Sequence, residues 1–157
     1  MEPARYAWIV PERLAVAERP GRCGRNHRRD LRGSEIAWWR ERGVTSVVSG
    51  MRTRHALAEY ADLGLTVRWH PLRDPEQARR GLNELADAVR ELLERDEGAV
   101  LVHCDCANEW LAAIDATLRM TLGLARDRRS ALRAAAADGL PVGSLATSIV
   151  GRPMSAA

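Results

Sequence analysis

The feature that most constrains this chain is a regular alternation of strand-like and helix-like segments between residues 43 and 124. Val44 to Ser49 is rich in β-branched residues and reads as a buried strand. Thr53 is placed to cap a helix that runs through Asp62 and stops at Gly64. Leu65 to Leu72 reads as the next strand. Asp74-Pro75-Glu76-Gln77 then opens a long helix: an Asp cap, Pro at the first helical position, and Gln three residues beyond the cap. That helix extends to about Asp96, with Leu82, Leu85, Val89, Leu92 and Leu93 on one face, and Gly98 ends it. Ala99 to Val102 is a short apolar strand, and a helical pattern follows from Asn108 to Leu124. Strands that alternate with helices in this way predict parallel pairing, with the helices covering both faces of the sheet.

The flanks extend this pattern. Tyr6 to Val10 and Leu14 to Ala17 read as short strands, followed by a Gly/Pro/Arg-rich loop from Arg19 to Arg29. Ser34 can cap a short helix, Glu35 to Arg42, that stops at Gly43. Arg128 to Ala137 and Pro141 to Val150 read as closing helices, and Ser155-Ala156-Ala157 as a loose tail. A length of 157 residues suits one α/β domain spanning residues 1–157, and no linker or repeat divides it. In such sheets, sites form beyond the C-terminal ends of the strands. Three segments therefore converge on the expected pocket: Gly50 to His55, Arg73 to Asp74, and His103 to Trp110.

Composition narrows the functional classes. The 24 basic residues are all Arg and are interspersed with 21 acidic ones, for a net charge of +3. Such dispersal predicts no nucleic-acid partner, and the all-Arg usage fits a GC-rich bacterial genome. No apolar run is long enough to span a membrane, so no membrane association is expected. The first residues lack the layout of a signal peptide. Three cysteines are too few for a disulfide scaffold. A cytoplasmic protein with reduced thiols is expected.

Val100-Leu101-Val102-His103-Cys104 ends a buried strand with a His-Cys pair, and a helix follows within a few residues. This segment resembles the active-site strand and loop of the protein tyrosine phosphatase superfamily, specifically its dual-specificity branch. The order of elements from about residue 6 to residue 150 is also similar. So are Trp8-Ile9-Val10-Pro11, Gly43-Val44-Thr45-Ser46-Val47-Val48 and Pro71-Leu72-Arg73-Asp74. The resemblance implies a cysteine-phosphatase-like α/β fold, a central mostly parallel sheet with helices on both faces. It implies Cys104 as thiolate nucleophile, Asp74 as the acid that protonates the leaving group, and His103 as the residue that orients the loop.

The rest of the loop departs from the pattern. In the family, Gly stands three residues after the Cys. After five intervening residues comes an Arg that grips the phosphoryl oxygens, with Ser or Thr next. Here those positions hold Ala107, Trp110 and Leu111, and Asp105 and Glu109 add carboxylates. The family's cradle works because helix-terminal amides and a bidentate guanidinium hold an anion. Trp110 carries no charge. At roughly 5 Å, each carboxylate would repel one unit of phosphate charge by about 3 kcal/mol at an effective dielectric of about 20. Ordinary phosphatase activity is therefore not expected unless Arg73, Arg52 or Arg54 is supplied from a neighbouring loop.

Three functions remain open. The first is a repurposed enzyme in which Cys104 attacks an electrophilic carbon and Asp74 moves protons. Asp105, Glu109, Trp110, Arg52, Arg54, Arg73 and His55 would then bind a small zwitterionic metabolite. The second is a pseudophosphatase that binds a ligand or a protein without chemistry. The third is a phosphatase with a borrowed Arg. No cofactor is expected. A metal set of Cys104 and Cys106 with Cys23 and His27 is an alternative, but it lacks the two tight pairs of a structural zinc site. Each residue also has a plain reading: Cys104 as a buried core thiol, Asp74 as a helix cap, Trp110 as core packing.

Overall fold

The computed structural model describes residues 5–24 and 27–151, so the expected C-terminal tail lies outside the described residues. Five strands form one sheet in the order β1-β2-β5-β3-β4. β1 (Tyr6–Val10) pairs antiparallel with β2 (Leu14–Glu18), and every other neighbouring pair is parallel. β3 is Val44–Ser49, β4 is Thr66–Trp69 and β5 is Ala99–Cys104. All six residues of β5 are buried. A parallel strand at the sheet centre is covered on both faces, which is why its sequence is a continuous apolar run and does not alternate.

Side chains of β5 divide between two cores with a period of two. Val100, Val102 and Cys104 join a cluster with Leu82, Leu85, Val89 and Leu92 of α3 (Pro75–Arg95) and Leu111 and Ile114 of α4 (Glu109–Thr121). α5 (Arg128–Ala137) and α6 (Ser144–Ile149) complete that layer through Ala131, Ala135, Ala146 and Ile149. Ala99 and Leu101 face the other cluster, with Ile36 and Trp39 of α1 (Arg29–Glu41) and Tyr60 of α2 (Leu57–Asp62). The expected mostly parallel sheet with helices on both faces is the architecture observed.

Local starts differ from expectation in two places. α1 begins at Arg29, six residues before Glu35, so Ser34 lies inside the helix and its hydroxyl donates to the Leu31 carbonyl at 2.8 Å. The earlier start positions Glu35, which is buried, to accept the Gly21 amide at 2.8 Å. α2 begins only at Leu57, because Ala56 adopts a left-handed conformation (φ 58°) that breaks any helix started at Thr53. β4 is shorter than the Leu65–Leu72 run. The chain nevertheless stays beside β3, with the His70 amide on the Ser49 carbonyl at 2.9 Å and the Leu72 amide on the Gly50 carbonyl at 3.1 Å.

Candidate active site

The parallel strands β2, β5, β3 and β4 bring four loop starts to one edge of the sheet: residues 19, 105, 50 and 70. Backbone bonds hold the edge together. The Gly50 amide donates to the His103 carbonyl at 2.8 Å, next to the Leu72–Gly50 bond. A side chain at Gly50 would lie 3.4 Å from both Leu72 and Leu85, so its size suits this close packing.

His103 is fully buried and neutral, because burial lowers its pKa to about 4. Its Nε2 is 3.0 Å from the Tyr60 hydroxyl, and its Nδ1 is 3.3 Å from the Cys104 carbonyl. Burial pushes the Tyr60 hydroxyl far above its usual range, so it remains a donor. The network thus assigns the tautomer: Tyr60 donates to Nε2, and Nδ1–H donates to Cys104. His103 thus links Tyr60 to the backbone at the start of the Cys104 loop.

Cys104 is 5 % exposed. Its thiol donates to the Cys106 carbonyl at 3.0 Å and is 3.9 Å from Asn108 Oδ1. Burial pushes this thiol up to about 12; the Cys106 amide offsets part of the rise, and Asp105 and Glu18 add to it. Two further amides of the loop are also engaged. Asn108 caps α4 by accepting the Trp110 amide at 3.0 Å. Glu18, paired with Cys104 in the sheet register, has its carboxylate facing the Ala107 amide. Burial and the neighbouring Glu35 raise the Glu18 pKa, while Arg5, the Ala107 amide and Arg22 lower it.

The expected binding residues separate into different environments. Asp105 pairs with Arg19 Nε at 3.0 Å and accepts the Cys106 thiol at 3.5 Å. His55 lies in the same group. Burial, then Arg19, His27 and Arg32, bring its pKa down to about 4, so it is neutral, with its ring 4.8 Å from that of His27 in a T-shaped contact. Arg52 donates to the Arg73 carbonyl. Arg54 lies over the Trp69 ring at 5.1 Å. Arg73 lines a separate cleft of about 480 Å³ with Gln77, Arg80 and Glu84. Asp74 occupies the N-cap position of α3 without a side-chain cap bond, which leaves its carboxylate exposed and the simple capping explanation unmet.

Two expectations, the placement of Glu109 and the alternative metal set, are corrected. Glu109 does not face the Cys104 loop: its Oε1 accepts the Ala146 amide at 3.2 Å, tying α4 to the start of α6. Trp110 packs half-buried against the α3–α4 core and keeps part of its ring exposed. The Cys23, His27, Cys104 and Cys106 metal set does not assemble. His27 turns toward His55 and the Arg22 carbonyl, Cys104 toward the Cys106 carbonyl, and only Cys23 and Cys106 meet. Among the described residues no three His, Cys, Asp or Glu side chains are arranged to hold a metal ion.

Arg19 is the residue that sequence reasoning missed. Its half-buried guanidinium pairs with Asp105 and donates to the Arg22 and Gly24 carbonyls, both at 2.9 Å. The expected cations Arg52, Arg54 and Arg73 follow the ends of β3 and β4. Parallel pairing of β2 with β5 places Arg19 next to Asp105 instead. Only the strand order carries that information, and the strand order is not local in sequence.

No protein-family model and no curated protein matches the sequence. Solved structures do match the fold. Human DUSP28 is 18% identical, with a TM-score of 0.67 over 94% of this chain and 91% of that one. Tk-PTP is 20% identical, with a TM-score of 0.64 over 92% and 95% of the two chains. P. aeruginosa TpbA is 18% identical, with a TM-score of 0.60 over 95% and 98%. This chain therefore has the fold of the dual-specificity and tyrosine phosphatases.

Proposed function

We propose that this chain is a phosphatase-fold binding module whose Cys104 loop does not transfer phosphoryl groups. The observation that carries this reading is the thiol itself: Cys104 donates to the Cys106 carbonyl at 3.0 Å, where a phosphatase would need a thiolate facing an anion. Trp110 supplies no charge to replace the missing guanidinium, and the cation beside the loop, Arg19, is paired with Asp105 at 3.0 Å. Glu18 places another carboxylate against the loop. An incoming phosphate dianion would have to displace that carboxylate and face Asp105 as well.

The test is turnover of an aryl phosphate together with binding of orthovanadate. The expected result is no Cys104-dependent turnover and no vanadate binding. Trp110→Arg alone should restore neither, since Glu18 still faces the Ala107 amide and Asn108 still caps α4. Turnover abolished by Cys104→Ser would overturn the proposal.

A second reading, the cysteine enzyme acting on a small zwitterion, is favoured by one feature, the mixed charge of Arg19, Asp105, Arg52 and Asp74 around the sheet edge. It requires Cys104 to lose its proton when the ligand binds. Binding of a zwitterionic ligand unchanged by Cys104→Ala assigns the site to the module, and conversion of that ligand lost with Cys104→Ser assigns it to the enzyme.

A further inference from the structure

Away from the Cys104 loop, α5 and the segment leading through α6 frame an open groove of about 810 Å³. This lies within the range of about 300–1,000 Å³ typical of small-molecule sites. Leu132, Ala136 and Val142 supply its apolar lining, with Thr147 on the α6 side. Leu132 and Ala136 are one helical turn apart on α5, so they form a continuous stripe. Arg128, Arg129 and Arg133 line the same groove against a single acid, Asp127, which leaves the lining with a net charge of +2 (three Arg minus one Asp).

The charges are not equally free. Arg128 is engaged across the groove by the Thr147 carbonyl. Asp127 caps α5 by accepting the Ser130 amide at 2.7 Å and is 3.9 Å from Arg126. Arg129 and Arg133 are exposed, one turn apart, and form no salt bridge among the described residues. An apolar stripe flanked by two available guanidiniums complements an apolar chain with an anionic head such as a carboxylate. The frame is a ten-residue helix about 15 Å long and the six-residue α6. That is short for a protein partner, whose stable docking buries about 800 Å² per side.

We propose that this groove binds a free amphiphilic carboxylate, with its chain along Leu132, Ala136 and Val142 and its head on Arg129 and Arg133. The proposal is independent of the function assigned to the Cys104 loop. Its test is titration of the whole protein with decanoate, decanol and decyltrimethylammonium, each below its micelle-forming concentration and followed by calorimetry. Decanoate should bind best. An Arg129→Glu/Arg133→Glu variant should weaken decanoate by about tenfold or more and leave the cation unweakened. Ala136→Trp, at an exposed position, should block decanoate, and circular dichroism of both variants checks that the fold is kept. Equal binding of all three probes, decanoate binding unchanged by the double substitution, or no binding at all would overturn the proposal. So would concentration-dependent dimerisation lost in Ala136→Trp, which would assign the groove to a second copy of the chain.

Discussion

Tyr60→Phe isolates the hydrogen bond that fixes His103 beneath the Cys104 loop. The substitution removes one hydroxyl and no carbon, so it opens almost no cavity. It leaves His103 Nε2, now 3.0 Å from that hydroxyl, as a buried acceptor without a donor. Both residues are 0 % exposed, so water does not replace the lost partner at the surface. An unsatisfied buried acceptor costs about 1–3 kcal/mol. For a chain of this size each kcal/mol moves Tm by roughly 2–4 °C, so a central cost of about 2 kcal/mol lowers Tm by about 6 °C. Urea unfolding of the wild type, Tyr60→Phe, His103→Phe and the double variant closes a double-mutant cycle. The expected coupling is about 1 kcal/mol or more. A Tyr60→Phe variant within about 0.5 kcal/mol of wild type, with no coupling in the cycle, would refute the assignment of the Tyr60–His103–Cys104 relay.

Two further predictions concern regions away from the loop. Burial and the nearby Asp138 raise the Asp115 carboxyl from its ordinary 3.8 to about 8, although Arg119 lies at 2.7 Å. The folded state therefore holds this proton more tightly than the unfolded chain does, so the contribution to stability is complete below about pH 4 and is lost as the pH rises toward 8. Urea midpoints between pH 5 and pH 9 should fall more steeply in the wild type than in Asp115→Asn, and equal slopes would contradict this. Gly98→Ala would place a Cβ 2.2 Å from Thr45 Oγ1, 2.4 Å from Cγ2 and 2.9 Å from Cβ. Rotation about χ1 does not move the Thr45 Cβ, so the variant should lose about 1–3 kcal/mol in denaturant unfolding, and Thr45→Ala, which removes Oγ1 and Cγ2 but keeps that Cβ, should recover only part of it. An unchanged midpoint would show that the backbone yields easily there.

Much of the fold was legible because its signals are local. Asp74-Pro75 marks the start of α3, the apolar spacing of Leu82, Leu85, Val89 and Leu92 marks its buried face, and the uninterrupted run of β5 marks the sheet centre. The sites of error were those decided by distant contacts. Ser34 resembles a cap, yet α1 reaches back to Arg29, where the same helix turn also lets Glu35 meet Gly21. Glu109 follows Cys104 closely in sequence, but α4 directs its carboxylate to α6. Arg19 was invisible as a site residue because it approaches Asp105 only through the pairing of β2 with β5. The departures at Ala107 and Trp110 were plain in sequence, whereas the approach of Glu18 to the Ala107 amide and of Asn108 to the Trp110 amide depended on the three-dimensional arrangement.

The central claim is that Cys104 is a protonated thiol turned onto its own loop. Its most direct test is the pH dependence of iodoacetamide alkylation in a Cys23→Ser/Cys106→Ser background, read by mass spectrometry. The thiol is pushed up to about 12, so native protein should remain essentially unmodified below pH 9 and become reactive only on unfolding. Rapid alkylation of folded protein, with a midpoint near or below neutral pH, would contradict the account.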